Sequence, residues 1–250
     1  MKLKGKVAIV TGGARDIGRE VSLRLAKEGA KVVINYFGSE AEAKELAKQI
    51  NAEGGEAVAV KGDMTKWNEV VNLVDETKKA FGNEIHILAN VVGGLFGRKT
   101  IEEQDEEWYN LVMDVNLKSI FFTTKATAGS MPAGSSIINF SSQAGRDGGG
   151  GGASLYAAAK GAVMTYTRAM AKELGPKGIR VNAVAPGLIA TSFHDRFTKP
   201  EIRTNVAAST PLRRQGDAKD VADLVLYLAS DEASFITGAN VDINGGTYFS

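Results

Sequence analysis

Short apolar runs alternate with amphipathic stretches from one end of the chain to the other, and this alternation limits the fold more than any other feature. Lys6–Gly12 (KVAIVTG), Lys31–Asn35 (KVVIN), Ala57–Asp63 (AVAVKGD), Ile85–Asn90 (IHILAN), Ser135–Ser141 (SSIINFS), Ile179–Pro186 (IRVNAVAP) and Asn240–Gly245 (NVDING) read as strands. Residues 17–28, 66–81, 104–128, 156–174 and 217–229 read as helices; in the first, Ile17, Val21 and Leu25 stand at i, i+4 and i+8. Ser39, with Glu42 three residues on, is a capping box opening a further helix. Strands that are apolar at nearly every position belong in a parallel sheet covered on both faces. Their alternation with helices predicts right-handed crossovers and a doubly wound α/β sheet. No linker interrupts the 250 residues, so a single domain is expected. The five-glycine run Gly148–Gly152 reads as a mobile loop, and residues 187–216 as a lid, since a loop of that length in a compact domain usually has a task.

Composition removes several function classes. A net charge of +1 gives no bulk attraction to nucleic acid or to a membrane surface, and neither is expected as a partner. With no cysteine and two histidines, disulfide, thiol and histidine-rich metal chemistry are set aside, and no metal site is expected. The N-terminus runs directly into a strand, with no apolar leader, and no run approaches the roughly 20 apolar residues of a membrane span. A cytoplasmic location is the expectation.

In open parallel sheets, ligands bind beyond the carboxyl ends of the strands. Gly12 and Gly18 fall between the first strand and first helix in TGGARDIG, where Gly12 permits a tight turn and Gly18 close packing of helix on strand. The helix N-terminus, with Ile17 in its first turn, then presents free N–H groups and a positive dipole end to phosphates. Asp16 is anomalous in this setting, because a carboxylate facing a pyrophosphate would repel it. Helix-capping, or pairing with Arg15 or Arg19, would turn it away. Asp63 and Met64 end the third strand, where the carboxylate either accepts from an adenine amino group or caps the next helix. Asn90 and Gly93 end the fourth, where small residues let a cofactor lie near the backbone. After the second strand come Asn35, Tyr36 and Phe37, with no acid for a ribose 2′-hydroxyl. Arg15 instead suits a 2′-phosphate, with Asn35 and Ser39 as further donors. NADP is favoured over NAD.

Tyr156 and Lys160 stand at i, i+4 and share one helix face. An ammonium beside the phenol lowers its pKa and suits it to move a proton to or from a substrate oxygen. Ser142 ends the fifth strand, where it either holds the same oxygen or is an ordinary turn residue. Asn116, mid-helix in DVNLKS, is a poor helix former. It either faces solvent or breaks the helix locally and holds a water that relays protons to Lys160.

Taken together, these motifs resemble the short-chain dehydrogenase/reductase family over essentially the whole chain. They are Thr11-Gly12 with Gly18, Asp63, Asn90 with Gly93, Asn116, Ser142, Tyr156 with Lys160, PGLIAT (Pro186–Thr191) and the C-terminal ITGANVDINGG. The resemblance implies a Rossmann fold with a seven-stranded parallel sheet and a proton-relay tetrad of Asn116, Ser142, Tyr156 and Lys160. It implies a nicotinamide held by Lys160, the Ile189 main chain and Thr191 in the Pro186-Gly187 segment, and a homotetramer. The look is nearest to 3-oxoacyl-acyl-carrier-protein reductases, so the implied activity is NADP-dependent reduction of a 3-oxoacyl thioester or similar small carbonyl. A dehydrogenase of sugar- or polyol-type alcohols, NAD-linked or NADP-linked, is the alternative. A silent member serving as a binding subunit is a further one, against which the four correctly spaced residues argue.

Three departures stand out: Asp16 for the family's middle glycine, Val91-Val92 for Asn-Ala, and a Ser142–Tyr156 interval one residue longer than usual. An acidic carrier protein would want basic residues near the entrance. Arg168, Lys172, His194, Arg196, Lys199 and Arg203 are the candidates, while ATAGSMPAGSS after the Asn116 helix has none.

Overall fold

The computed structural model describes residues 1–192 and 200–249. Its centre is a seven-stranded parallel sheet in the order β3-β2-β1-β4-β5-β6-β9. The strands are β1 (Val7–Thr11), β2 (Lys31–Tyr36), β3 (Glu56–Lys61), β4 (Ile87–Asn90), β5 (Ser136–Phe140), β6 (Arg180–Pro186) and β9 (Asn240–Ile243). Every residue of β1, β4 and β5 is buried, which is why these strands carry no polar alternation. The flanking helices are α1 (Asp16–Lys27), α2 (Glu40–Ala52), α3 (Trp67–Phe81), α4 (Glu106–Met113), α5 (Ser119–Thr127), α7 (Ser154–Leu174) and α9 (Ala218–Ala229). Val21 and Leu25 of α1 pack on one face of the sheet with Val221, Val225 and Leu228 of α9. Val70 and Leu73 of α3 pack on the other face with Ala171 and Leu174 of α7.

The chain runs outward from β1 through β2 to β3, then returns to β4 on the other side of β1. Parallel register sets Thr11 beside Asn90 and Asn90 beside Asn139. The loops that leave these ends therefore part in opposite directions, and a crevice opens between them.

Smaller elements complete that upper edge: α6 (Ala144–Asp147), the parallel pair β7 (Ile189–Ala190) and β8 (Gly216–Asp217), and α8 (Pro200–Ser209). Of residues 187–216, where a lid is expected, the described ones include β7 and α8; His194, Arg196 and Lys199 lie outside the described residues. Among the described residues no helix is long and apolar enough to cross a membrane.

Ser39 holds the N-cap position of α2, but its side chain makes no capping bond, so the expected box with Glu42 does not form. The five-glycine run is tied to its neighbours by hydrogen bonds. Lys99 N donates to Gly152 O at 3.1 Å, Arg98 Nη1 to Gly151 O at 2.8 Å, and Ala153 N to Gly150 O at 3.2 Å.

Candidate active site

A cleft of about 1180 Å³ occupies the crevice and runs from the β1–α1 turn to the N-terminus of α7. At its first end the backbone is tightly folded. Gly12 has φ 61°, and a Cβ on Gly18 would lie 2.1 Å from the Gly12 carbonyl oxygen. Gly12, Arg15, Asp16, Ile17 and Gly18 line the cleft at the start of α1. Bare backbone around a helix N-terminus is a seat for phosphates.

Asn35 shapes this turn from beneath. Its Oδ1 accepts from Gly12 N at 3.2 Å and its Nδ2 donates to Gly62 O at 3.0 Å. The side chain is buried and committed to the fold, which corrects the expectation that it donates to a 2′-phosphate. Tyr36, Ser39, Asp63 and Met64 line the same end, with Arg15 exposed beside them. Asp63 Oδ1 accepts from Thr65 N at 2.8 Å and Thr65 Oγ1 at 2.7 Å, while Lys66 is the N-cap of α3. Capping by Asp63 is therefore excluded.

Asp16 adopts φ 49°, a left-handed conformation that asparagine and aspartate tolerate better than most residues. Its carboxylate accepts from Ser192 N at 2.9 Å and Ser192 Oγ at 2.6 Å. Arg15 is the N-cap of α1, and Arg19 bonds Glu20 and Gln49. The expected helix cap or arginine pair is replaced by a bridge to Ser192, in the segment that follows β7.

At the other end, Ser142, Tyr156 and Lys160 line the cleft with Gly93, Pro186, Gly187, Ile189 and Thr191. A Cβ on Gly93 would lie 2.7 Å from Lys160 Nζ and 2.9 Å from Asn116 Oδ1, so three elements converge on one bare backbone position. Lys160 is buried, and its Nζ donates to Phe140 O at 2.7 Å. Desolvation lowers its pKa to about 7. Burial raises the Tyr156 phenol above its ordinary value, opposed by its hydrogen bond with Ser142. The expected lowering by the ammonium does not prevail here, although Lys160 Nζ lies 5.8 Å from the ring centroid.

Asn116 does break its helix: residues Asp114–Lys118 form a π-turn between α4 and α5. Its Oδ1 accepts from Gly94 N at 3.0 Å, and its Nδ2 donates to Gly94 O at 2.8 Å and Val112 O at 2.9 Å. Fully buried behind Gly93, it holds the wall in place rather than lining it. Asn90 likewise leaves the cleft to Val91, Val92 and Gly93. Its side chain donates to Asn139 Oδ1 at 2.9 Å and accepts from Thr123 Oγ1 at 2.7 Å, inside the fold. That corrects its expected place against a cofactor.

A family model described as Enoyl-(Acyl carrier protein) reductase matches residues 12–248. The 3-oxoacyl-[acyl-carrier-protein] reductase of Staphylococcus aureus is 38% identical over 245 residues, covering 97% of this chain and 98% of its own. A short-chain dehydrogenase of Burkholderia cenocepacia, solved with NADP, superposes at TM-score 0.92 with 32% identity, over 98% of this chain and 99% of that one. A blue fluorescent protein from a metagenomic library, solved with NADPH, gives TM-score 0.93 and 33% identity, covering 100% of both chains.

The chain belongs to the short-chain dehydrogenase/reductase family. It is an oxidoreductase, and several of this short-chain dehydrogenase/reductase's site features carry no recognisable motif. Ser192 as partner of Asp16 is one. The contact made by Thr11, itself part of the Thr11-Gly12 motif, is another: its Oγ1 accepts from Val91 N at 3.0 Å and Val92 N at 3.2 Å, so the Val91-Val92 departure is anchored through main chain. Arg98 lines the cleft with Gly149 and Gly150 and was also missed. Gln143 is a fourth, accepting from Thr247 Oγ1 at 2.8 Å and tying the C-terminal segment to the catalytic end. A glycine run facing an arginine-bearing loop is the one signal that sequence offered for any of them.

Proposed function

We propose that this enzyme reduces a ketone to a secondary alcohol with NADPH, Tyr156 giving the proton. The convergence of Tyr156, Ser142 and Lys160 around Gly93, beside a phosphate-binding turn in the same cleft, carries the reading. A nicotinamide cofactor fits that cleft because Gly12, Gly18 and Gly93 leave room for no side chain against its floor. A nicotinamide bound there would supply the hydride for the carbonyl carbon. A neutral phenol, held protonated by burial and oriented by Ser142, then donates to the developing alkoxide. Ile189 and Thr191 hold the nicotinamide side of the cleft, with Thr191 Oγ1 itself fixed on Ile189 O at 3.2 Å.

Preference for NADP rests on Arg15 and Lys66, both exposed at the end where a 2′-phosphate would lie, and on the absence of an acid after β2. Ser39 is a further donor there. A small carbonyl fits better than an acyl chain on a carrier protein. Arg168 and Lys172 lie on α7 about 18 and 24 Å beyond Tyr156 at about 1.5 Å per residue, away from the entrance. The working form is a homotetramer in the cytoplasm.

Titrating the protein with NADPH and NADH by nicotinamide fluorescence, then adding a panel of ketones and 3-oxoacyl thioesters, tests the reading. NADPH should bind at least tenfold more tightly than NADH and be oxidised by some of the panel. No binding at millimolar NADPH would sink it.

A further inference from the structure

Arg98, exposed in the wall of the cleft, has no acid to neutralise it among the described residues. It lines the cleft beside Gly149, Gly150 and Ala153, where the glycine loop runs into α7 three residues before Tyr156. The loop is shaped around the arginine. A Cβ on Gly150 would lie 3.1 Å from Arg98 Nη1, and one on Gly152 would lie 2.9 Å from Arg98 Cβ. Of the five N–H donors of its guanidinium, one bond goes to protein, from Nη1 to Gly151 O at 2.8 Å. The acids on this stretch of wall are otherwise committed. Asp114 pairs with Lys118, and Asp147 accepts from Gly149 N at 2.8 Å and Gln143 Nε2 at 2.9 Å. Among the described residues Arg98 has no ion-pair partner.

We propose that Arg98 selects ketones that carry an oxyanion, a carboxylate or a phosphate, a few bonds from the carbonyl. This rests on the reductase reading above. A substrate whose carbonyl oxygen meets Tyr156 and Ser142 has the rest of its length along the wall that Arg98 occupies. There a planar guanidinium fork matches two oxyanion oxygens. One bond, from Nη1 to Gly151 O, ties the fork to the glycine loop.

Matched pairs test this: a 3-oxo acid against its methyl ester, and a phosphorylated hydroxyketone against the free one, each with NADPH and wild type, Arg98→Ala or Arg98→Lys. The wild type should favour one anionic partner by roughly ten- to hundredfold in kcat/KM, as one charge-assisted hydrogen bond supplies. Whichever pair shows the larger ratio identifies carboxylate or phosphate. Arg98→Ala should collapse that ratio toward one, chiefly through KM, and Arg98→Lys should keep part of it. Equal turnover of both partners by wild type overturns the proposal and leaves the reductase reading standing. So does an Arg98→Ala loss shared equally by acid and ester, which would mean the arginine only pins the glycine loop. No turnover of any ketone while NADPH binds would remove the reductase reading and this proposal with it.

Discussion

Asp16 and Ser192 are 176 positions apart, yet two hydrogen bonds join them. A double-mutant cycle with Asp16→Ala and Ser192→Ala, followed by urea unfolding, should give a coupling of about 1 kcal/mol. Strict additivity would mean that the Ser192 hydroxyl contributes nothing to the bridge. Lys160 makes a different kind of prediction. Its pKa falls from 10.5 in the unfolded chain to about 7 in the fold, so between these values the unfolded state binds the extra proton. Stability then rises with pH across that window, and the burden of burying the ammonium is largest below pH 7. In cofactor-free protein, Lys160→Met should therefore gain most over wild type below pH 7, with the gap closing as pH rises toward 10. Melting curves across pH that run parallel would refute this. Tyr156→Phe should bind NADPH within about twofold of wild type and lose roughly 10²–10⁴ in turnover, the usual worth of a positioned proton donor. Near-normal turnover would take the proton from some other group.

Elements separate what is legible in sequence from what is not. The central strands β1, β2, β4 and β5 are legible because burial leaves them largely apolar, whereas β3 and β9 are only partly buried and are read from their place in the alternation; the observed ends of all seven lie within two residues of the expected ones. The π-turn at Asn116 was half legible: a poor helix former predicts the break, but its partner Gly94 comes from another loop. β7 and β8 are two residues each and exist only because the tertiary fold brings them together. Asn35 and Asn90 show the limit for single residues. A polar strand end looks the same in sequence whether it faces a ligand or the fold, and here neighbouring Gly62 and Asn139 decide. The glycine loop yields a contrast inside one element. At Gly152, φ is 73° and an added Cβ meets Arg98 and Lys99, whereas at Gly151 nothing lies within 4 Å. Gly152→Ala should cost roughly 1–3 kcal/mol, and Gly151→Ala less than about 0.5 kcal/mol, by thermal or urea unfolding. Equal costs would show that the loop is not held as described.

For the whole molecule, the sheet order places the crevice between β1 and β4, and the groups that line it come from loops, strand ends and the first two turns of α7 beyond that edge. Light scattering on the purified protein should give four chain masses if the proposed tetramer is the solution state, and a single chain mass would exclude it. The bare positions along the cleft also divide it for anyone who wishes to re-engineer it. Gly18, Gly93 and Gly187 each have a neighbour within 2.7 Å of where a methyl group would go, backbone at Gly18 and the Lys160 ammonium at Gly93, so substitution there would displace the turn or the lysine itself. Phe96, Leu111 and Val206 line the same cleft, each at least partly open to solvent. Libraries that vary these three and spare the glycines would move selectivity while leaving the chemistry where the fold has put it.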